Sequence, residues 1–168
     1  MLSAEELDFQ PLDKSSARAI ISWEHPPPYD LYNLVQENLP ILLNPDNRYY
    51  AVRTASGELI GYCSLGADAR VPGGFYSGFE PEVLDIGVGL RPDWTGKGFG
   101  KSFIQSILQF SDQKFKPAVF RASIADFNLR SQRAFEKVGF LSRAKFKHKV
   151  TGLDFWILEM KNSIRRCE

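Results

Sequence analysis

The stretch RPDWTGKGFGKSFIQSIL, residues 91–108, decides how this sequence is interpreted. Its glycines occupy alternate positions, Gly96, Gly98 and Gly100, between a predicted strand at 83–90 and an apolar helical run. Glycine lets a ligand approach the backbone closely, and the free N–H groups at a helix N-terminus attract anions. The arrangement predicts a phosphate site, and a plain loop with glycines for tight turns is the alternative.

Two familiar nucleotide loops do not fit this stretch. A triphosphate loop requires G-x-x-x-x-G-K-[ST]. Gly100, Lys101 and Ser102 supply its end, but Thr95 stands where the first glycine belongs. A dinucleotide loop requires G-x-G-x-x-G, and the matches that begin at Gly87 and Gly96 end in proline and lysine. If the stretch is an anion site, we therefore expect it to hold a phosphate of another kind.

Composition narrows the class of protein. The 168 residues suit one domain with a sizeable core, and 43% hydrophobic with 24% charged residues is an ordinary globular balance. A net charge of +1 favours neither nucleic acid nor an anionic membrane as partner. The start, MLSAEELDFQ, is acidic and mixed, so we do not expect it to be a signal peptide, and no apolar run is long enough to span a bilayer.

Cysteine and histidine are scarce. Cys63 and Cys167 lie far apart and form no CxxC motif, which favours a reduced cytoplasmic protein over a disulfide scaffold. With two cysteines and two histidines in all, we expect no zinc or other metal site. We expect His25 to be a loop residue and His148 to lie on the surface of the last hairpin.

The order of predicted elements indicates a mixed α/β sheet. Helices near the start precede an antiparallel meander, which is followed by a β-α-β-α-β-β pattern. Six or seven strands, mostly antiparallel, and about four helices result. The predicted strands span 7–12, 48–54, 58–65, 83–90, 118–124, 141–150 and 153–160, and the predicted helices 14–23, 29–39, 101–115 and 128–138.

Two segments resemble the GCN5-related N-acetyltransferase (GNAT) superfamily. Thr95 to Gly100 resembles its acyl-CoA loop, which reads Arg or Gln, two residues, Gly, one residue, Gly or Ala; Thr95 departs at the first position. ADFNLRSQRAFEKVGF, residues 125–140, is similar to its N-x-x-[SA]-x-x-x-[YF]-x-x-x-G-F segment. The resemblance covers residue 48 onward, so the chain is expected to form one domain, 1–168, with a core sheet at 48–161 and a variable substrate-side part at 1–47.

The resemblance implies acetyl-CoA as co-substrate and a sheet that is splayed at the acyl-CoA site. The pantetheine arm would pair with the end of the strand at 83–90, where Gly87 and Gly89 suit a splay point; an edge bulge is the alternative. Backbone N–H groups of the loop would hold the pyrophosphate. The implied CoA-binding residues are Val88, Gly89, Leu90, Thr95, Gly96, Lys97, Gly98, Phe99, Gly100, Lys101, Asn128 and Phe135.

The implied chemistry is direct attack of an amine on the thioester, so it needs a base and an acid but no enzyme nucleophile. Asp85 is the candidate base, with Glu80 and Glu82 as rivals and a solvent-facing strand position as the alternative. Many family members protonate the leaving thiolate with a tyrosine where this chain has Phe135. Ser131, one turn earlier on the same helix, is a weaker candidate donor, and water is another.

The residues that would bind the acceptor amine are the part of the site that the sequence defines least. Two segments, 22–34 and 71–82, mix aromatic and acidic residues, which suits a cationic amine, although the aromatic residues could instead pack these loops onto the sheet. The candidate acceptor-binding residues are Trp23, Tyr29, Tyr32, Phe75 and Tyr76.

The resulting hypothesis is a cytoplasmic N-acetyltransferase, monomeric or homodimeric, for the primary amine of a small molecule or a protein N-terminus. The alternative is a non-catalytic acyl-CoA-binding sensor or interaction module with the same fold.

Overall fold

The computed structural model describes residues 6–164; Cys167 and the first five residues lie outside this range. Within it, no helix combines the length and the apolar character needed to cross a bilayer. Seven strands and four α-helices form in this order: β1 (Leu7–Pro11), α1 (Lys14–Ile21), α2 (Leu39–Leu43), β2 (Tyr49–Thr54), β3 (Leu59–Leu65), β4 (Val83–Leu90), α3 (Gly100–Phe115), β5 (Val119–Ala125), α4 (Leu129–Val138), β6 (Leu141–Lys147) and β7 (Asp154–Lys161).

The strands form one mixed sheet in the order β1-β2-β3-β4-β5-β7-β6. Within residues 6–164, β4 and β5 are the one parallel pair, and every other neighbouring pair is antiparallel. The predicted sheet, mostly antiparallel with about four helices, is confirmed. The parallel pair arises because α3 carries the chain over the sheet between the two strands.

Strands β4 and β5 stay together for only part of their length. They pair from Val83 opposite Val119 to Asp85 opposite Arg121, and beyond that point β4 continues beside β3 while β5 continues beside β7. The sheet is therefore splayed where the resemblance placed the splay. The register between β3 and β4 is continuous, which speaks against an edge bulge at the β4 glycines.

A buried ion pair marks the last residues that β4 and β5 share. Arg121 donates from Nε to Asp85 Oδ1 at 2.7 Å and from Nη2 to Oδ2 at 2.8 Å. Arg70 donates from Nε to Asp85 Oδ2, also at 2.8 Å. Arg121 further donates to the carbonyl oxygens of Ser77 and Gly78. One guanidinium thus joins both strands and the loop that precedes β4.

Helices cover both faces of the sheet. Alternate residues of a strand point to opposite faces, and Val52 packs in the cluster that contains α3 and α4, whereas Ala51 packs in the cluster with α1 and α2. The apolar side of α3 is buried as its periodicity predicts. The buried residues of that side are Phe103, Ile104, Ile107 and Leu108.

The predicted helix over 29–39 is wrong. The structure has two short 3-10 turns there, Tyr29–Tyr32 and Gln36–Asn38, and α2 begins at Leu39. Pro40 follows the predicted range and proline commonly ends a helix, but here it stands in the first turn of α2. The first turn tolerates proline because its N–H groups have no partner within the helix.

Replacing Asp85 with asparagine should lower the free energy of unfolding by about 3–5 kcal/mol, because Arg121 would lose its charge partner in a buried place. Equilibrium urea denaturation measures the loss. Asp93→Asn is the matched control, since Asp93 also pairs with an arginine but its side chain is 61% exposed. Equal midpoints for the two variants would contradict a stabilising role of the buried pair.

Candidate active site

The splay opens a cleft of about 680 Å³ between β4 and β5, bordered by α3, α4 and the first 3-10 turn. Most residues proposed from the sequence meet here, although they come from four separate segments. Those that line the cleft are Tyr29, Tyr32, Val88, Gly89, Leu90, Thr95, Gly96, Gly98, Gly100, Lys101, Asn128, Ser131 and Phe135.

Lys97 and Phe99 stand in the same loop but do not line the cleft. Lys97 is exposed, and the ring of Phe99 packs on Trp94 with centroids 4.8 Å apart. The alternating pattern of the loop explains the difference, since the glycines turn one side of the backbone to the cleft and the intervening side chains point away.

Three of the proposed acceptor-binding aromatic residues also lie elsewhere. Trp23 packs against the cluster of α1 and α2, and Phe75 is 88% exposed. The Tyr76 hydroxyl hydrogen-bonds to Ser123 Oγ at 2.7 Å and accepts from the Val71 N–H, while Arg121 lies 4.8 Å above its ring. Tyr76 therefore contacts the cleft lining through Ser123 and Val71 but does not line the cleft itself.

The glycine loop, residues 96–100, has the geometry of an anion site. Gly96 and Gly98 have φ of +70° and +83°, and a Cβ built on either would meet no atom within 4 Å. The space above them is open to a ligand. Phe99 is the N-cap of α3, and its side chain cannot accept a hydrogen bond. The N-cap side chain therefore leaves the first N–H groups of the helix free. These features fit a pyrophosphate.

Gly100 serves a different purpose. A Cβ at this position would lie 3.1 Å from the Cβ of Ala134, so its absence lets α3 approach α4 closely. The glycine loop consequently lies beside the middle of α4.

The glycines of β4 make room for a neighbouring side chain. Tyr62 of β3 stands opposite Gly89, and a Cβ on Gly89 would overlap the Tyr62 ring. Tyr62 therefore lies across β4 and lines the cleft. Burial raises the pKa of Tyr62 to about 12, so the hydroxyl stays protonated.

Asn128 joins α4 to the 22–34 segment. Its Oδ1 accepts from the Ser131 N–H at 3.1 Å as the helix cap, and its Nδ2 donates to the Tyr32 hydroxyl at 3.2 Å. The rings of Tyr29 and Tyr32 both pack on Phe127, with centroids about 6 Å away. Burial also raises the pKa of Tyr32.

Phe135 is 1% exposed and packs edge-to-face on Phe140 with centroids 5.0 Å apart. It borders the cleft as a core residue and has no proton to give.

Asp85 does not line the cleft. It is 2% exposed, and three N–H groups of Arg70 and Arg121 occupy its two oxygens. A carboxylate held in this way has no free oxygen directed at a substrate. Glu80, one of its rivals, is bound by Arg48 at 2.7 Å.

The charged residues of the cleft are all basic. Lys101, Arg130, Arg133 and Lys137 line it, and none of the lining residues within 6–164 is Asp or Glu. The acidic lining expected from the acceptor-side loops is thus not found in this range. Nor do three or more His, Cys, Asp or Glu side chains gather within it in a way that could hold a metal ion.

Several lining residues were not predicted from the sequence. Arg130, Arg133 and Lys137 follow i, i+3, i+7 spacing, so the helical period of the 125–140 segment already placed them on one face. Tyr62 could not be found in this way, because its place depends on the register of β3 against β4.

His25 was expected to be an ordinary loop residue, yet it lines the cleft. Its backbone N–H donates to Asn33 Oδ1 at 2.7 Å, which fixes the turn that carries it. Burial, and secondly the charge of Arg130, lower the pKa of His25 below 6.5, so its imidazole is neutral at neutral pH.

A family model described as Acetyltransferase (GNAT) domain matches residues 4–141. The chain belongs to the GNAT acetyltransferase family. N-alpha-acetyltransferase RimI of Mycobacterium tuberculosis is 27% identical over 119 residues, which are 70% of this chain and 68% of that protein.

Solved structures of GNAT proteins share the fold. A GNAT-family acetyltransferase from Bacillus anthracis matches with a TM-score of 0.73 at 18% identity, over 95% of this chain and 97% of its own. Spermidine N-acetyltransferase from Vibrio cholerae, in complex with CoA and spermine, matches with a TM-score of 0.65 at 18% identity, over the same shares of both chains.

Gly98→Glu should weaken acetyl-CoA binding by about 100-fold, because a carboxylate beside the phosphate site repels the pyrophosphate and like charges held together cost several kcal/mol. Titration calorimetry measures the affinity. Gly152→Glu in the β6–β7 turn is the control, since Gly152 also has a positive φ, +72°, and open space around it. An unchanged affinity in Gly98→Glu would overturn the assignment of the loop.

Proposed function

We propose that the protein transfers the acetyl group of acetyl-CoA to the primary amine of a small molecule or of a protein N-terminus. The observation that carries this proposal is the splay of β4 from β5 beside the glycine loop at the start of α3. An edge of β4 that has lost its neighbour can pair with an extended amide chain, and the loop can hold the attached pyrophosphate. The similarity to RimI, named as an N-alpha-acetyltransferase, supports an amine as acceptor.

Residues from three elements would hold CoA. The free edge of β4 from Val88 to Leu90 would pair with the pantetheine, and the backbone of residues 96–100 would bind the pyrophosphate. Lys101, Arg133 and Lys137 supply positive charge on the adjoining helices. Thr95, which replaces the family's Arg or Gln, lines the cleft, but its hydroxyl donates to the Pro92 carbonyl at 2.6 Å.

The reaction takes two protons from the acceptor ammonium, one before the attack and one after the C–N bond has formed, and gives one proton to the leaving sulfur. The amine nitrogen attacks the thioester carbonyl, the new C–N bond forms, and the C–S bond breaks to release the CoA thiolate. An alkyl ammonium has a pKa of about 10.4, so the amine must lose a proton before attack. The thiolate then takes up a proton from a hydroxyl or from water.

His25 is the base in this proposal. Among the cleft-lining residues within 6–164, it has the one side chain that accepts a proton near neutral pH, since the others with ionisable groups are tyrosine, lysine and arginine. Asp85, the base suggested by the sequence, is instead assigned the structural role of holding the splay. Its oxygens already accept from Arg70 and Arg121.

The thiolate has two hydroxyl groups as candidate donors. Ser131 and Tyr32 both line the cleft, and Asn128 contacts the Ser131 backbone and the Tyr32 hydroxyl. Since Tyr32 accepts a hydrogen bond from Asn128, its own proton remains available for donation. Phe135 would shape the apolar wall.

The test of the function is a paired assay of binding and turnover. Acetyl-CoA should raise the melting temperature of the protein, because a ligand of the native state stabilises it. Mixing protein, acetyl-CoA and a panel of small amines and peptides with free N-termini should release CoA thiol, with an acetylated amine detected by mass spectrometry. ATP is the control ligand and should give no shift. Tight binding of acetyl-CoA without acetylation of any amine would favour the alternative, a non-catalytic acyl-CoA-binding module.

Replacing His25 with glutamine should lower kcat by about 100-fold and leave the KM for acetyl-CoA unchanged, a typical loss for a general base. Because the pKa of His25 is lowered, its neutral form persists below pH 6.5, and the acid limb of kcat against pH should lie below that value. That limb should vanish in His25→Gln. His148→Gln is the control, as His148 does not line the cleft. Tyr32→Phe should act on the alkaline limb instead, because a tyrosine hydroxyl ionises at high pH; a serine hydroxyl does not ionise in this range, so Ser131→Ala should lower kcat equally at every pH. An unaltered acid limb in His25→Gln would exclude this residue as base.

A further inference from the structure

The charge of the cleft bears on which amines the protein accepts. Four cationic side chains line it, Lys101, Arg130, Arg133 and Lys137, and within residues 6–164 no carboxylate does. In the proposed function, some of these cations would bind the phosphates of CoA. The four side chains fall into two groups according to their positions on α3 and α4.

Three of the cations adjoin the glycine loop. Lys101 stands in the first turn of α3, directly after Gly100. Gly100 approaches Ala134 in the middle of α4, and Arg133 and Lys137 flank Ala134 on that helix. These three side chains therefore lie where the CoA phosphates would bind.

Arg130 lies at the other end of the cleft. It stands four residues before Ala134, which is about 6 Å along a helix axis at 1.5 Å per residue. Its guanidinium lies 4.1 Å above the ring of Tyr29, and its charge acts on His25 and Tyr32. Arg130 thus belongs to the side formed by the 22–34 segment, which is expected to bind the acceptor.

No carboxylate within residues 6–164 forms an ion pair with Arg130. The nearest acidic residue on the α4 side in sequence, Asp126, accepts from Trp156 Nε1 at 2.7 Å and pairs with Lys145 at 3.6 Å. A cation–π contact orients a guanidinium but leaves its charge and most of its N–H donors available. The Arg130 side chain is therefore oriented by Tyr29, and its N–H groups remain available to bind an anion.

We infer that the acceptor carries a carboxylate close to its reactive amine, and that Arg130 binds this carboxylate beside His25. The inference rests on the proposed function and defines the acceptor class for the same site. Arginine suits the task because its planar fork binds a carboxylate through two parallel hydrogen bonds. A polyamine, whose second cation would face Arg130 with no carboxylate to receive it, is excluded as a preferred substrate. The carboxylate could belong to a small amino acid or to an acidic residue near a peptide N-terminus.

The experiment compares matched acceptors with the full-length protein and acetyl-CoA. Three peptide amides share one sequence except for glutamate, glutamine or lysine at the second position; free glutamate, its diamide and spermine form the small-molecule arm. We expect kcat/KM to be about tenfold higher for the acidic than for the neutral member of an arm, and lowest for the basic compounds. The arm with the larger kcat/KM shows whether the carboxylate belongs to a peptide or to a small molecule.

Variants identify the residue responsible. Arg130→Gln should remove the tenfold preference while the KM for acetyl-CoA changes less than twofold, and Arg130→Glu should reverse the preference toward lysine. Arg133→Gln is the matched control and should raise the KM for acetyl-CoA while keeping the preference for acidic acceptors. A preference of the unaltered protein for spermine or lysine overturns the inference. An Arg130→Gln variant that loses affinity for acetyl-CoA and keeps the acceptor preference also overturns it.

A binding arm separates this inference from the proposed function. Calorimetry measures the affinity of each peptide and small acceptor for the complex of the protein with CoA. Tighter binding of the acidic compounds without any turnover would refute acetyl transfer and support the carboxylate site. Turnover with equal affinities and equal rates for acidic and neutral acceptors would support acetyl transfer and refute the carboxylate site.

Discussion

The ion pair between Asp85 and Arg121 sits at the point from which the cleft opens. It joins β4 and β5 at their last shared residues, and beyond it each strand follows a different neighbour. Arg121 also binds two carbonyl groups of the loop that precedes β4. A buried charge without a partner is costly, so this pair fixes the distance between the strands at one end of the cleft. Asp85 thereby shapes the site without entering it.

Glycine residues, which have no side chain, shape the site as much as the side chains that line it. The absent Cβ of Gly61 leaves room for Phe103 of α3, and that of Gly89 leaves room for Tyr62. Gly100 allows α3 to approach α4, which brings the glycine loop next to the basic face of α4. The positive φ of Gly98 has another purpose, since it turns the loop backbone toward open space. Close packing and an open loop backbone are thus separate uses of glycine within one cleft.

The sequence predicted the sheet well because each strand and the two long helices carry a local signal. The alternation of residues, the period of α3 and the cap at Asn128 are written in neighbouring positions. The helix expected over 29–39 was wrong because proline suits either a helix end or a helix start, and only packing decided between them. The glycine loop, the Asn128 segment and Ser131 were brought together at the cleft as their motifs implied.

By itself, the sequence determined the family, the succession of strands and helices along the chain and the loop at the start of α3, since these depend on residues close together in the chain. Only the tertiary structure decided which charges face one another. Arg121 follows Asp85 by 36 positions, so their pairing, which removes Asp85 from the cleft, depends on the parallel register of two strands. The same holds for Arg130 and Tyr29, which meet only because the first 3-10 turn packs on α4. Coulomb interactions depend on the distance between two charges in space, and the order of residues along the chain does not give that distance.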